Sequence, residues 1–383
     1  TMVDVQEARA AVLAAREVCS LPVCVSLTFD ESARTLTGSG PATAVLTLQA
    51  LGADAIGCNC STGPRPMRNV IRQMADVASV PLLALPNAGI PRLVRGETVF
   101  SLSASDFVRE TRDLAAAVNL VGGCCGTSPE YIAGLREVID TLDAPPVGCG
   151  VRNALTSVRR AVYPGPRSPI TVIGERINPT GKEKLKEQLR KGETGEIRHL
   201  AQEQSTAGAG VLDVNVGASG VDELSAMSSA VRLLASLCDL PLCIDSSDPA
   251  VIERALRLYP GRALINSISA EGDKPDILLP LAARYGAMFI ALPIDDEGIP
   301  EQAERRKRII ERLAKRAAEF GLTKDDMVVD GLVMAVSSEA RAARETLELV
   351  RWAANDFGVN TVVGLSNVSF GLPERHWVNA AFL

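Results

Sequence analysis

The sequence predicts an α/β chain made of two (β/α)8 TIM-type barrels in tandem, the first represented only by its C-terminal half and the second lacking its last strand. Three observations predict it. Short apolar, β-rich runs alternate with helix-spaced segments along the whole chain. Each run is nearly continuous in hydrophobicity, as strands covered on both faces are. Polar residues collect at the C-terminal ends of the runs, the face on which such barrels carry their chemistry. A doubly wound open sheet is the alternative, but it calls for a glycine-rich dinucleotide turn that the sequence lacks. At 383 residues the chain is too long for one ordinary domain, so two cores are expected.

The elements follow in order. Residues 4–19, around VQEARAAVLAAREV, have helical spacing with no strand ahead of them, so the chain is expected to open mid-fold. Strand runs begin at Val23 (VCVSLTF), Ala53 (ADAIGCNCS), Val80 (VPLLALPNAG) and Val118 (VNLVGGCCG). Residues 143–169 are rich in proline and glycine with little strand signal and suit an interdomain connection. A second series starts at Ile170 (ITVIGERINP), Val211 (VLDVNVG), Pro241 (PLCIDSS), Arg262 (RALINSIS), Ala287 (AMFIALPI), Met327 (MVVDGLV) and Thr361 (TVVGLSNVS). The closing WVNAAFL reads as the first turns of a helix, leaving no eighth strand. The expected division is therefore 1–142, 143–169 and 170–383.

Composition narrows the function. Hydrophobic residues are 46% and charged residues 22%, which is globular. With 40 Lys+Arg against 46 Asp+Glu the net charge is -6, so no electrostatic footprint for nucleic acid is present and a small-molecule partner is expected. No apolar run reaches the ~18 residues of a membrane span; Arg284 interrupts PLAARYGAMFIALPID. The opening Thr1-Met2-Val3-Asp4 has neither a basic nor an apolar signal region. Nine cysteines are too sparse for a disulfide scaffold and place the protein in a reducing cytoplasm. Histidines number two, His199 and His376, so a metal site must rest on sulfur or carboxylate.

Cys60 ends one predicted strand, and the pair Cys124 and Cys125 ends another two βα units later. Thiolates from strand ends on one barrel face converge, and three of them would bind zinc tetrahedrally with one position open, the mark of a catalytic site. Gly122, Gly123 and Gly126 let the backbone bend so that adjacent cysteines can face one ion. Cys58 lies on the same side of its strand as Cys60 and competes as a ligand. Cys19, Cys24, Cys149, Cys238 and Cys243 read as small buried hydrophobes. Neither clustered pair has the C-x-x-C spacing of redox disulfides.

The strings GCNCSTGP from Gly57, PNAG from Pro86 and GGCCGTSPEYI from Gly122 resemble the zinc-dependent homocysteine S-methyltransferase family. The resemblance implies that Cys60, Cys124 and Cys125 hold zinc, that Asn87 is a replaceable fourth ligand, and that Cys58 is a spectator. It covers only the last four strands of that family's barrel.

In the second series the strand ends carry Glu175, Asn178, Asp213, Asn215, Asp245, Asn266, Asp330 and Asn367, with no lysine or histidine among them. Carboxylates and carboxamides in a ring suit a neutral heterocycle with donors and acceptors, such as a 2-amino-4-oxopyrimidine edge, and suit a phosphate poorly. Ser246, Ser247 and Asp248 read instead as helix N-caps. The strings GERINPTG, DVNVG, IDS, INSIS and GLSNVSFGLP resemble the pterin-binding domain of methyltetrahydrofolate methyltransferases over residues 170–383. That resemblance implies that Asp245, Asn266 and Asp330 hold the pterin edge and that Asn367 is the catalytic residue beside N5.

The two resemblances in this order are similar to the N-terminal substrate modules of the cobalamin-dependent methionine synthase family. They imply methyl transfer from 5-methyltetrahydrofolate through protein-bound cobalamin (methylcobalamin) to zinc-activated homocysteine, with the corrinoid-binding module in a missing region or a separate chain. The alternatives are a methyltetrahydrofolate:corrinoid protein methyltransferase with a different thiol acceptor, and a non-catalytic corrinoid-protein docking scaffold.

Overall fold

In the computed structural model, which describes residues 1–60, 63–165, 168–339 and 341–383, the chain divides into two compact units. Unit 1 is Thr1–Ala161 with Pro260–Arg262, and unit 2 is Val162–Tyr259 with Ala263–Leu383. Unit 1 runs α1 (Val5–Val18), β1 (Cys24–Leu27), α2 (Pro41–Ala50), β2 (Ala55–Asn59), α3 (Pro64–Ala75), β3 (Leu82–Leu85), β4 (Pro91–Val94), β5 (Glu97–Phe100), α4 (Ala104–Ala115), β6 (Leu120–Val121) and α5 (Pro129–Ile139). Its main sheet is parallel in the order β1-β2-β3-β6. The opening helix and all four expected strands are present.

Two features of this half were not expected. β4 and β5 form an exposed antiparallel hairpin inserted after β3. Its two-residue turn places Arg95 and Gly96 at positive φ, the geometry that matches strand twist, and the signal was an R-G pair between LV and ETVF. Residues 143–169 carry two short strands, β7 (Leu155–Thr156) and β8 (Ala161–Val162), in place of a structureless connection.

Unit 2 continues with β9 (Ile173–Ile177), α6 (Glu183–Arg190), α7 (Gly195–Thr206), β10 (Val211–Val214), α8 (Glu223–Leu237), β11 (Leu242–Asp245), α9 (Pro249–Leu258), β12 (Leu264–Ala270), α10 (Lys274–Tyr285), β13 (Met288–Asp295), α11 (Ala303–Glu319), β14 (Met327–Asp330), α12 (Ala342–Trp352), β15 (Asn360–Val362) and α13 (Arg375–Phe382). Its seven strands are all parallel and lie in unbroken sequence order from β9 to β15. A doubly wound sheet reverses its order at a switch point, so that alternative is excluded for this unit.

The sheet curls. Asn266 Nδ2 on β12 donates to Asp213 Oδ1 on β10 at 3.1 Å, across the intervening β11. Strands two apart in a flat sheet lie roughly 9–10 Å from each other, so curvature must bring these tips together, as on the inner wall of a barrel. The helices pack on the other face through apolar stripes: Met227, Ala230, Val231 and Leu234 of α8 recur at the 3.6-residue period and are buried. Their starts are fixed by capping side chains, with Asp222 accepting from Ser225 N–H and Asp248 from Ala250 N–H. Among the described residues no helix is long and apolar enough to cross a membrane.

Candidate active sites

In unit 1 the thiols converge because the C-terminal end of β3 and Pro86 after it lie between β2 and β6 and take hydrogen bonds from the residues that follow both. Cys60 N–H donates to Leu85 O at 3.1 Å, Gly122 N–H to Ala84 O at 3.1 Å and Cys124 N–H to Pro86 O at 2.9 Å. The backbone then turns at unusual angles. Cys60 itself takes a left-handed φ of 58°, off the line of its strand. Gly126 is left-handed as well, and a Cβ there would collide with the Phe100 ring. Gly122 and Gly123 are not left-handed, but Leu85 and Thr127 crowd the places where their Cβ atoms would sit.

The three sulfurs stand close to one another: Cys60 to Cys124 is 2.7 Å, Cys60 to Cys125 3.7 Å and Cys124 to Cys125 3.9 Å. Tetrahedral zinc with Zn–S bonds of about 2.3 Å requires sulfur–sulfur edges of about 3.8 Å, which two of the three match. Among the described residues this is the one group of such side chains close enough to hold an ion. Asn87 is buried, and its Oδ1 accepts from Cys125 N–H at 3.1 Å, so the expected fourth ligand is held at the thiol loop. A soft, three-sulfur donor set with an amide oxygen nearby fits zinc. Cys58 is buried within β2, outside the group, and burial pushes its thiol up to about 12. Of the cysteines expected to be buried, Cys243 is and Cys238 is half-buried, but Cys19, Cys24 and Cys149 are exposed. Cys24 is the exposed first residue of β1, and Cys19 and Cys149 lie outside the strands.

In unit 2, Asp213, Asn215, Asp245 and Asn266 form two pairs, drawn from the ends of β10 and β11 and from within β12. Asn215 Nδ2 donates to Asp245 Oδ2 at 2.9 Å, beside the Asn266–Asp213 bond. Asp245 and Asn266 face each other in the β11–β12 register. Asp213 is buried and its Oδ2 has no hydrogen-bond partner among the described residues. Burial, then the Asp245 charge, pushes its carboxyl up to about 6 against the pull of Cys243 and Asn266. Asp245 is also raised, by burial first, opposed by Asn215 and reinforced by Glu175 and Glu223. Such an electron-rich, incompletely satisfied cluster suits a ligand rich in N–H donors.

The remaining ring members lie farther out. Glu175 is exposed on β9, where two residues bulge against β10 and Gln204 Oε1 accepts the displaced Arg176 N–H at 2.7 Å. Asn178 is half-buried and its Oδ1 accepts from Thr180 N–H. Asp330 Oδ1 accepts from Leu332 N–H at 2.7 Å; burial raises this carboxyl while that N–H and Arg306 oppose the rise. Asn367 is exposed on a 3-10 turn (Leu365–Asn367) beyond β15, with no side-chain hydrogen bond to the ring among the described residues.

Three polar residues at these tips escaped the sequence. Lysine was expected to be absent, yet Lys182 Nζ reaches back to Arg176 O at 2.8 Å and Asn178 O at 3.2 Å; burial lowers its pKa, with Arg176 adding to the fall and Glu175 opposing it. Glu223 accepts from Ser246 Oγ at 2.5 Å, while that same Oγ accepts from Asp248 N–H at 3.1 Å; Asp248 caps α9 as expected. Arg306, wholly buried in α11, reaches the segment after Asp330. Each of the three sits on a helix or in the approach to one, outside the strand-tip strings.

Residues 1–139 match the family model for homocysteine S-methyltransferase, and residues 174–383 that for pterin binding enzyme. Methionine synthase from Mycobacterium tuberculosis (strain ATCC 25618 / H37Rv) is 30% identical over 403 residues, covering 100% of this chain and 34% of that protein. Methionine synthase from Mycobacterium leprae (strain TN) is 29% identical over 408 residues, with the same coverage. The chain thus spans about a third of the length of these relatives. Among solved structures, dihydropteroate synthase from Thermus thermophilus in complex with 6HMPPP is similar at 22% identity and a TM-score of 0.41, covering 60% of this chain and 87% of that one. With more than half of its length matched by the second family model, the chain belongs to the pterin-binding enzyme family, and ahead of that portion it carries a homocysteine S-methyltransferase match.

Proposed function

We propose that this chain supplies the two substrate sites of a methyltransferase that moves a methyl group from 5-methyltetrahydrofolate, by way of a protein-bound cobalamin, to homocysteine. Residues 1–142 are the C-terminal half of a zinc barrel, 143–169 a connection, and 170–383 the pterin barrel. The observation that carries this reading is the meeting of Cys60, Cys124 and Cys125 at the ends of β2 and β6. Those three residues would hold zinc, with Asn87 Oδ1 as the replaceable fourth ligand. Zinc lowers the pKa of a bound thiol, which otherwise is near ~8.5, so that homocysteine is a thiolate at neutral pH. The proton leaves to solvent, and a reducing cytoplasm keeps the protein's own thiols available.

At the second site Asp245, Asn266 and Asp330 take the pterin edge, Asp213, Asn215, Asn178 and Glu175 complete the ring, and Asn367 faces N5. The cobalamin is assigned to a further module or separate chain. Metal analysis tests the first site: Cys124→Ala and Cys125→Ala should each lose stoichiometric zinc and thiol alkylation together. Either variant retaining a full equivalent of zinc would remove the basis of the reading.

A further inference from the structure

The largest fully buried side chain is that of Arg306 on α11, and among the described residues no carboxylate lies within ion-pair distance of it. Its partners are neutral. Nε donates to Pro300 O at 2.9 Å; Nη1 points at Gly331 O, Leu332 O and Thr346 Oγ1 at 3.4, 3.3 and 3.5 Å; Nη2 meets Met334 Sδ at 3.9 Å. Thr346, itself fully buried on α12, donates to the same Leu332 O at 3.1 Å. Placing a guanidinium out of water without a paired anion is costly, and hydrocarbon would fill the same space without that cost. Something local must reward its charge and fork.

The segment it grips begins one residue after Asp330. Leu332 holds a left-handed φ of 52°, strained for a side chain of that size, and its N–H donates to Asp330 Oδ1 at 2.7 Å. Arg306 and Thr346 hold the carbonyl of that same residue from behind. We infer that Arg306 is a positioning residue for Asp330: its fork fixes the Gly331–Leu332 turn that orients the carboxylate, and its charge keeps that carboxylate an acceptor inside a buried setting. The inference rests on the reading of Asp330 as a pterin-edge residue. The charged groups around the pair are few. Glu345 on α12 and Asp330 on β14 act on Arg306; β15 presents no titratable side chain, and Asp295 on β13 is engaged by Arg305 and Arg312.

The test is equilibrium binding of 5-methyltetrahydrofolate to the full chain between pH 5.5 and 8.5, for wild type, Arg306→Met, Arg306→Lys and Asp330→Ala. Removing the cation raises the Asp330 pKa, so the wild-type to Arg306→Met affinity ratio should be largest at the acid end of the range and shrink toward one as pH rises, with about tenfold as the limit for each pKa unit of change. Arg306→Lys keeps the charge and loses the fork, so it should bind a few-fold more weakly with a ratio independent of pH. A ratio for Arg306→Met that is flat with pH, or near one throughout, overturns the inference. If Arg306→Met does not fold, a Lys ratio that grows toward low pH overturns it in its place. Wild-type affinity in Asp330→Ala would instead remove the pterin-edge reading, and the inference with it.

Discussion

Asp213 carries a carboxyl where ionisation is costly: buried, beside Asp245, with one oxygen unserved by any donor among the described residues. Its native pKa is raised from 3.8 to about 6, so between those values the folded state holds a proton that the unfolded chain has lost. Stability from this group is present below the lower value and is lost as pH rises through the upper one, by about 3 kcal/mol at most. Asp213→Asn removes that loss, keeps an oxygen for Asn266 and offers an N–H toward Asp245. Thermal unfolding of the variant should therefore show a higher Tm at pH 7 and a flatter profile from pH 4 to 6; an unchanged profile would place the titration elsewhere. Asn367 is a different case, since its exposure leaves it available to substrate. Under the proposed function, methyl transfer from N5 would need that nitrogen to become cationic; Lys182 donates to two backbone carbonyls, and the proton would come from solvent. The Asn367 oxygen would then bind the cationic transition state more strongly than the neutral substrate. Asn367→Ala should slow single-turnover transfer by roughly one to three powers of ten while weakening folate binding less, and an unchanged rate at saturating folate would make it a plain positioning residue. The strand-tip acids and amides were legible because such side chains recur toward the C-terminal end of six of the seven runs of the second series. Lys182, Glu223 and Arg306 were not, because they reach the tips from outside those runs.

At the scale of elements, the loop from β6 to α5 joins sequence to site most directly. Both vicinal thiols reach Cys60 from a loop in which Gly126 turns left-handed under the Phe100 ring and Ala88 N–H donates to Cys125 O at 3.0 Å. Phe100 ends β5, so the hairpin after β3 is packed against the thiol loop. Gly126→Ala meets both a backbone penalty and that collision, which together cost about 1–3 kcal/mol. Zinc affinity, measured by chelator competition, should fall with it, whereas Gly96→Ala at the hairpin turn, with open space around its Cβ, should leave zinc unchanged; equal zinc affinity in the two variants would contradict this account. Every strand expected from apolar runs is present, since burial on both faces writes a continuous hydrophobic signature into each. The hairpin was illegible for the opposite reason: its strands are exposed, so Leu93, Val94 and Val99 have no periodic contrast with a buried face.

For the whole molecule, the decisive feature is that each unit has its own sheet and its own group of polar or thiol side chains at the C-terminal strand ends. The cysteine group draws on β2, β3 and β6; the carboxylate and amide group draws on β9 to β15. No residue is common to both, so the two half-reactions should separate on mutation. Asp245→Ala removes the acceptor of the Asn215 amide and one side of the ring, and it should chiefly weaken 5-methyltetrahydrofolate binding, abolishing folate-dependent methylation of added corrinoid. The same variant should demethylate added methylcobalamin onto homocysteine at the wild-type rate. Cys124→Ala should show the mirror pattern, with folate-dependent methylation retained and thiol alkylation lost. The measurement is both half-reactions on both variants under one set of conditions. A matched loss of the two activities in either variant would mean one shared site, and would contradict the assignment of separate chemistry to each sheet.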